Sequence, residues 1–318
     1  MSVVKGAQAM HNDIGQIGLV GLIGYGEVGK IFCAGLKAVP GIESVSAWDL
    51  KFADAALHKK ELAHEGDSGT TGVITCTSMQ ALCAQANWLI SAVTASSTLA
   101  VAQEAAKFMK PGTLFLDLNS ASPGTKQQAA KSIEAAGGHY VEAGVMTSIP
   151  PYGIRVPMLL GGPQADALAT RLRAWGMDAK AVSDKIGIAS AIKMCRSVMI
   201  KGLEALVIES YATARAYGVQ DHVLPTLAET FPSIDWEKQG AYFFSRVVQH
   251  GKRRAEEMRE AANTVREAGF EPIMSSAIAD KQQWVADRAA AGVFDGVSKD
   301  ALWQDYADRL MDGKPSKT

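Results

Sequence analysis

Two groups of residues in this 318-residue chain have types and spacing suited to joint chemistry. The first is Gly24-Tyr25-Gly26-Glu27-Val28-Gly29. It follows the apolar run of residues 17–23 and opens a helix-like stretch reaching Leu36. A strand, a sharp glycine turn and a helix in that order make an anion cradle. The first glycine permits the turn, and the second lets the backbone approach a phosphate. The third lets the helix pack on the strand, with its N-terminal N–H groups facing the anion. Asp49 lies twenty residues past Gly29, at the end of the short run 45–49. A carboxylate at that distance accepts from ribose hydroxyls, so the two features together read as a dinucleotide site. It also repels a 2′-phosphate, which favours NAD. Lys51, two residues on, softens the repulsion, and NADP stays open.

The second group centres on Lys193. It falls early in a long helical stretch, 187–217, which is apolar on most sides. A helix apolar nearly all round is buried, and a lysine there is rarely buried without a partner. Desolvation favours the neutral amine, a usable base near neutral pH. The alternative is a lysine whose stem snorkels at a domain edge.

These residues need a scaffold. Apolar runs at 17–23, 45–49, 73–76, 88–93, 113–117, 139–143 and 157–160 read as strands. Helical stretches read at 53–63, 78–86, 97–108, 123–136 and 164–175. The alternation predicts a mainly parallel, doubly wound sheet of Rossmann type. Val93 ends the fourth strand and Thr94 opens the run of small hydroxyl residues after it, which suits either a loop lying along a cofactor or simple capping of the next helix. Ser122 before Pro123 makes a good helix N-cap and first-turn pair. Past residue 184 two-residue alternation stops, and helices read at 187–217, 222–230, 236–268, 275–291 and 299–311. The expected organisation is a dinucleotide-binding α/β domain over 1–183. An all-α domain over 184–318 would then serve substrate binding and dimerisation.

The order of motifs resembles the β-hydroxyacid dehydrogenase superfamily, which includes 3-hydroxyisobutyrate and 6-phosphogluconate dehydrogenases and, more distantly, the imine reductases. Beside the glycine turn, three segments carry the likeness. Asp117-Leu118-Asn119-Ser120-Ala121-Ser122-Pro123 is similar to the family's substrate-side D-x-S-T-x-S-P. Glu142-Ala143-Gly144-Val145-Met146-Thr147-Ser148 stands where the family has D-A-P-V-S-G-G. Residues 187–193 match the G-x-x-x-x-x-K that carries the catalytic lysine. The run from His250 to Met274 resembles a sub-branch described only as phosphogluconate-dehydrogenase-like.

The resemblance implies oxidation of a small β-hydroxyacid or related polar alcohol by NAD(P), with Lys193 as general acid/base. Ser122, Thr147 and Ser148 would hold the substrate, Thr147 and Ser148 replacing the family's two glycines. After the lysine the family commonly has asparagine at the fourth position; this chain has Arg196 and Ser197 at the third and fourth. Arg253, Arg254 and, more weakly, His250 are the basic candidates for an anionic substrate, in a region that often serves the partner subunit's site. Decarboxylation or isomerisation of the product stays open. So do two other readings: a reductase of C=N or C=O bonds, and a non-catalytic NAD-binding protein. A homodimer is expected.

Composition narrows the classes. With 47% hydrophobic and 20% charged residues the chain reads as globular, and a net charge of -1 points away from nucleic acid and anionic membranes. The four cysteines lack metal or disulfide spacing, residues 1–16 lack the pattern of a signal peptide, and no run is long enough to span a bilayer. A cytoplasmic protein with a small anionic or polar substrate is expected.

Overall fold

The computed structural model describes residues 18–53, 72–298 and 300–312. The expected leader and all but the first residue of the helix read at 53–63 lie outside the described residues. The chain divides into two compact units, Met1–Met194 and Cys195–Thr318. The division falls inside a single long helix, so the segment carrying Lys193 belongs with the sheet.

The first unit is built on eight strands: β1 (Leu19–Ile23), β2 (Ser44–Trp48), β3 (Ile74–Thr75), β4 (Trp88–Ser91), β5 (Leu114–Asp117), β6 (His139–Val145), β7 (Met158–Gly161) and β8 (Ala179–Ser183). Their order across the sheet is β3-β2-β1-β4-β5-β6-β7-β8. β1 to β6 run parallel, β7 is antiparallel to β6, and β8 is parallel to β7. The first six follow the doubly wound order, whose reversal between β1 and β4 opens a crevice at the strands' carboxyl ends. β8 has no counterpart in the sequence reading. It is an edge strand of small residues, Ala-Lys-Ala-Val-Ser, paired only with β7, so it carries little apolar signal.

The central strands β1, β4 and β5 are mostly apolar because both faces are covered. Val20, Leu22, Trp88, Ile90, Leu114 and Leu116 face one core layer, with Phe32 and Leu36 of α1 (Glu27–Lys37). Ile23, Leu89 and Phe115 face the other, with Leu82 of α2 (Met79–Gln85), Ala102 of α3 (Thr98–Ala106) and Ile133 of α4 (Pro123–Ala135). α5 (Ala165–Ala174) follows β7. Local caps agree with the sequence: Ser78 accepts from Ala81 N–H at 3.1 Å and Ser122 from Thr125 N–H at 3.3 Å.

The second unit is all-helical. It holds most of α6 (Ile188–Tyr217), then α7 (Gln220–Thr230), α8 (Trp236–Glu267), α9 (Ile273–Ala290) and α10 (Trp303–Asp312). Its core joins Ile208 and Tyr211 of α6 to Phe244 and Val247 of α8, Val285 of α9, and Trp303 and Tyr306 of α10. Gly251 lets α8 lie against α9: a Cβ there would stand 2.9 Å from the Gln282 carbonyl oxygen.

Candidate functional site

The glycine turn leaves β1 at the crevice. Gly24 has φ of 94°, a region that favours glycine, and a Cβ on it would stand 2.5 Å from the Ala92 carbonyl oxygen. A Cβ on Gly29 would overlap the Gly24 carbonyl, which is how α1 packs so close to the turn. Gly26 differs from both. It caps α1 in extended conformation with no side-chain cap bond, and a Cβ on it would meet nothing within 4 Å. The open space therefore lies at the helix N-terminus, where an anion is favoured. Tyr25 is buried, Glu27 exposed and Val28 half-buried. Asp49 accepts from Tyr25 N–H at 2.8 Å through Oδ2 and from Lys51 N–H at 3.0 Å through Oδ1. A carboxylate has about four acceptor sites, so capacity remains for hydroxyl donors. An open glycine, a helix N-terminus and an acid beside the turn fit a dinucleotide.

Across the crevice, Val93 N–H donates to Asn119 Oδ1 at 2.7 Å, and Asn119 Nδ2 donates to Ser91 Oγ at 2.9 Å. The loop after β4 is thus tied to the loop after β5. Thr94 is exposed, with its hydroxyl 3.0 Å from that of Ser97.

Lys193 is half-buried, and its Nζ donates to Ser120 Oγ at 2.6 Å. Both residues lie in the sheet unit with the glycine turn. The expectation for Ser122 changes accordingly: Ser122 is buried and engaged as the cap of α4, and Ser120 is the serine that meets the lysine. The signal was present in the sequence. Of the two serines in this segment only Ser122 precedes a proline, which marks it as the cap and leaves Ser120 free of that duty. Glu142 was also missed as a site element. It is fully buried and accepts from Gly187 N–H at 2.7 Å, Ala189 N–H at 3.0 Å and the Ser190 hydroxyl, all at the start of α6. Thr147 is exposed and Ser148 half-buried, in the loop directly after β6.

Comparison with known proteins bears on this arrangement. Residues 19–163 match the NAD binding domain of 6-phosphogluconate dehydrogenase, and residues 214–285 match a domain of unknown function, DUF1932. An uncharacterized 28.5 kDa protein of Methanothermus fervidus is 32% identical over 189 residues, covering 58% of this chain and 70% of that protein. A conserved hypothetical protein from Sinorhizobium meliloti 1021 superposes with a TM-score of 0.72 at 36% identity, over 92% of this chain and 95% of that one. A conserved protein of unknown function, described as structurally similar to 3-hydroxyacid dehydrogenases, superposes with a TM-score of 0.63 at 26% identity, over 86% and 98% of the two chains. The chain belongs to the β-hydroxyacid dehydrogenase superfamily. Its N-terminal unit carries the superfamily's NAD(P)-binding domain.

As a member of that superfamily the chain treats its helical-unit candidates unevenly. Arg254 is a correction. It is buried, and its guanidinium donates to Glu204, from Nε at 2.9 Å and also from Nη2. Gln282 Nε2 donates to the same Glu204 at 3.3 Å. With both partners out of water, Arg254 serves the packing of α8 on α6 and is not held out for an anionic ligand. Arg253 is 46% exposed and stands 3.9 Å from Glu257, whose other oxygen receives Lys201 at 2.5 Å. His250 is half-buried, Arg196 exposed and Ser197 buried. Among the described residues no helix is long and apolar enough to cross a membrane.

Behind the site sits a second buried network. Asp117 ion-pairs with Lys126 at 2.8 Å and accepts from Asn119 N–H at 2.9 Å and from Tyr140 OH at 2.5 Å. Burial first, then the charge and hydrogen bond of Asp117, hold the Tyr140 phenol far above its usual pKa, so it stays a donor.

Proposed function

We propose that this protein is an NAD(P)-dependent oxidoreductase that oxidises the hydroxyl of a small β-hydroxyacid or related polar alcohol, with Lys193 as general acid/base. One observation carries the reading: the 2.6 Å hydrogen bond from Lys193 to Ser120 in the same unit as the glycine turn. Gly24 to Gly29 and the start of α1 would hold the pyrophosphate, and Asp49 the ribose, which favours NAD over NADP. When bound, the cofactor supplies the two-electron acceptor. Lys193, as the neutral amine, takes the proton of the substrate hydroxyl, and Ser120 holds the amine in place. Thr147 and Ser148, in the loop after β6, are the hydroxyl donors for an anionic group on the substrate. The active form is a homodimer, since Met199 and Leu206, seven residues apart on α6, are 73% and 56% exposed and need cover.

The test is a screen of short hydroxyacids, sugar acids and aryl alcohols with NAD and NADP, following the reduced cofactor, repeated with Lys193→Ala. Turnover is lost in the variant while cofactor binding persists. Persistent turnover removes Lys193 from the chemistry, and a stable, active monomer in a size measurement removes the dimer.

A further inference from the structure

The Lys193–Ser120 bond joins two segments far apart in sequence, and each is anchored by its own buried carboxylate. Ser120 lies three residues past Asp117, the last residue of β5. Asp117 fixes the chain leaving the strand by accepting from Asn119 N–H at 2.9 Å. Lys126, fully buried, closes the loop from the other side, with Nζ 2.8 Å from Asp117 Oδ1 and 3.1 Å from its carbonyl oxygen. Lys193 lies one turn past the segment 187–190 that Glu142 holds by three hydrogen bonds. Gly144, two residues further along β6, lets the helix lie on the strand: a Cβ there would stand 2.9 Å from the Ala189 carbonyl and 3.5 Å from Lys193 Cβ.

Asp117 and Glu142 are direct partners in the parallel pairing of β5 with β6. Both are 0% exposed. Two adjacent buried carboxylates are costly unless each is compensated, and each has its own compensation here. Asp117 has the Lys126 ammonium and the Tyr140 hydroxyl. Glu142 has the first N–H groups and the positive end of α6. Neither carboxylate touches the glycine turn, and a fold needing only a filled core would use apolar residues at both places.

We propose that Asp117 and Glu142 form a paired positioning device, Asp117 setting Ser120 and Glu142 setting Lys193, so that the two side chains meet. This deepens the dehydrogenase reading and rests on it for its purpose. Its test does not depend on a substrate. Lys193 is labelled with trace acetic anhydride across pH in the full chain, and its rate is read by mass spectrometry against exposed Lys131 in the same digest. The variants are Glu142→Gln, Asp117→Asn and the milder Ser190→Ala, which removes one of Glu142's three donors and leaves its charge. Each changes the Lys193 labelling rate about threefold at a fixed pH, while Lys131 is unmoved. Ser190→Thr, which keeps the hydroxyl, returns the profile to that of the wild type.

The proposal is overturned if folded Ser190→Ala protein melts lower but its Lys193 profile superimposes on the wild type's. It is equally overturned if the threonine variant folds and behaves like the alanine one. Persistent turnover in the Lys193→Ala assay would remove Lys193 from the chemistry and leave this outcome standing.

Discussion

Replacing Gly26 by alanine separates cofactor binding from folding. Its backbone is extended, with φ of -80° and ψ of -162°, so an L residue fits without strain. The added Cβ meets no protein atom within 4 Å. In the unfolded chain the change removes conformational freedom, worth about 0.4–1 kcal/mol in favour of the variant. Alanine is a poorer helix N-cap than glycine, which offsets that gain. The net change in stability therefore stays within about 1 kcal/mol. Binding responds differently. The methyl group occupies the space at the start of α1 that a pyrophosphate needs, and one charge-assisted hydrogen bond from the backbone is lost. That bond contributes about 1.5–3 kcal/mol, so the dissociation constant for NADH rises about ten- to hundredfold. NADH fluorescence titration reads the affinity, and a urea melt reads the stability. Wild-type affinity in a folded Gly26→Ala protein would refute the assignment of this turn as the pyrophosphate cradle. A collapse of stability would refute the claim that the space is open.

Three further outcomes follow from the geometry. Gly29→Ala drives a Cβ into the Gly24 carbonyl, so the turn or α1 must shift; unlike Gly26→Ala it lowers both the melting midpoint and NADH affinity. Arg254→Ala strands the buried Glu204 carboxylate and costs about 3–5 kcal/mol in urea unfolding, whereas Arg254→Met combined with Glu204→Leu recovers most of it. An unchanged melt with weakened substrate binding would return Arg254 to the site. On the surface of the helical unit, the hydrogen bond from Arg215 holds the Asp308 carboxyl below its usual range, with Arg215's charge adding and burial opposing. A depressed folded-state pKa stabilises above the unfolded value and is lost as pH falls through the folded one. The difference in urea midpoint between wild type and Asp308→Asn is therefore constant above about pH 4 and shrinks below it. A difference that grows toward acid would contradict the pairing.

The local features were legible because each is dictated by neighbours in sequence. The glycine spacing, the Ser122–Pro123 cap and the apolar strands rest on backbone freedom and periodicity, which act over a few residues. β8 escaped because a short edge strand of alanine, lysine, valine and serine has no buried second face to mark it. The basic cluster at 252–254 was the least readable stretch. Charge in sequence says nothing of what faces it, and Glu204, fifty positions away, decides that Arg254 is structural.

The sequence by itself determined the sheet unit's alternation and the strand, glycine turn and helix with an acid twenty residues on, since these follow from residue type and short spacing; Lys193 stood out through its place in an apolar helix together with the family resemblance. Only the tertiary structure decided which serine Lys193 meets and which carboxylates hold the pair. The Lys193–Ser120 contact and the Glu142 contacts with the start of α6 join residues 73 and 45 or more positions apart. They depend on the register of β5 against β6 and on α6 lying across β6 at Gly144. Neither has a signature in a single chain read in order.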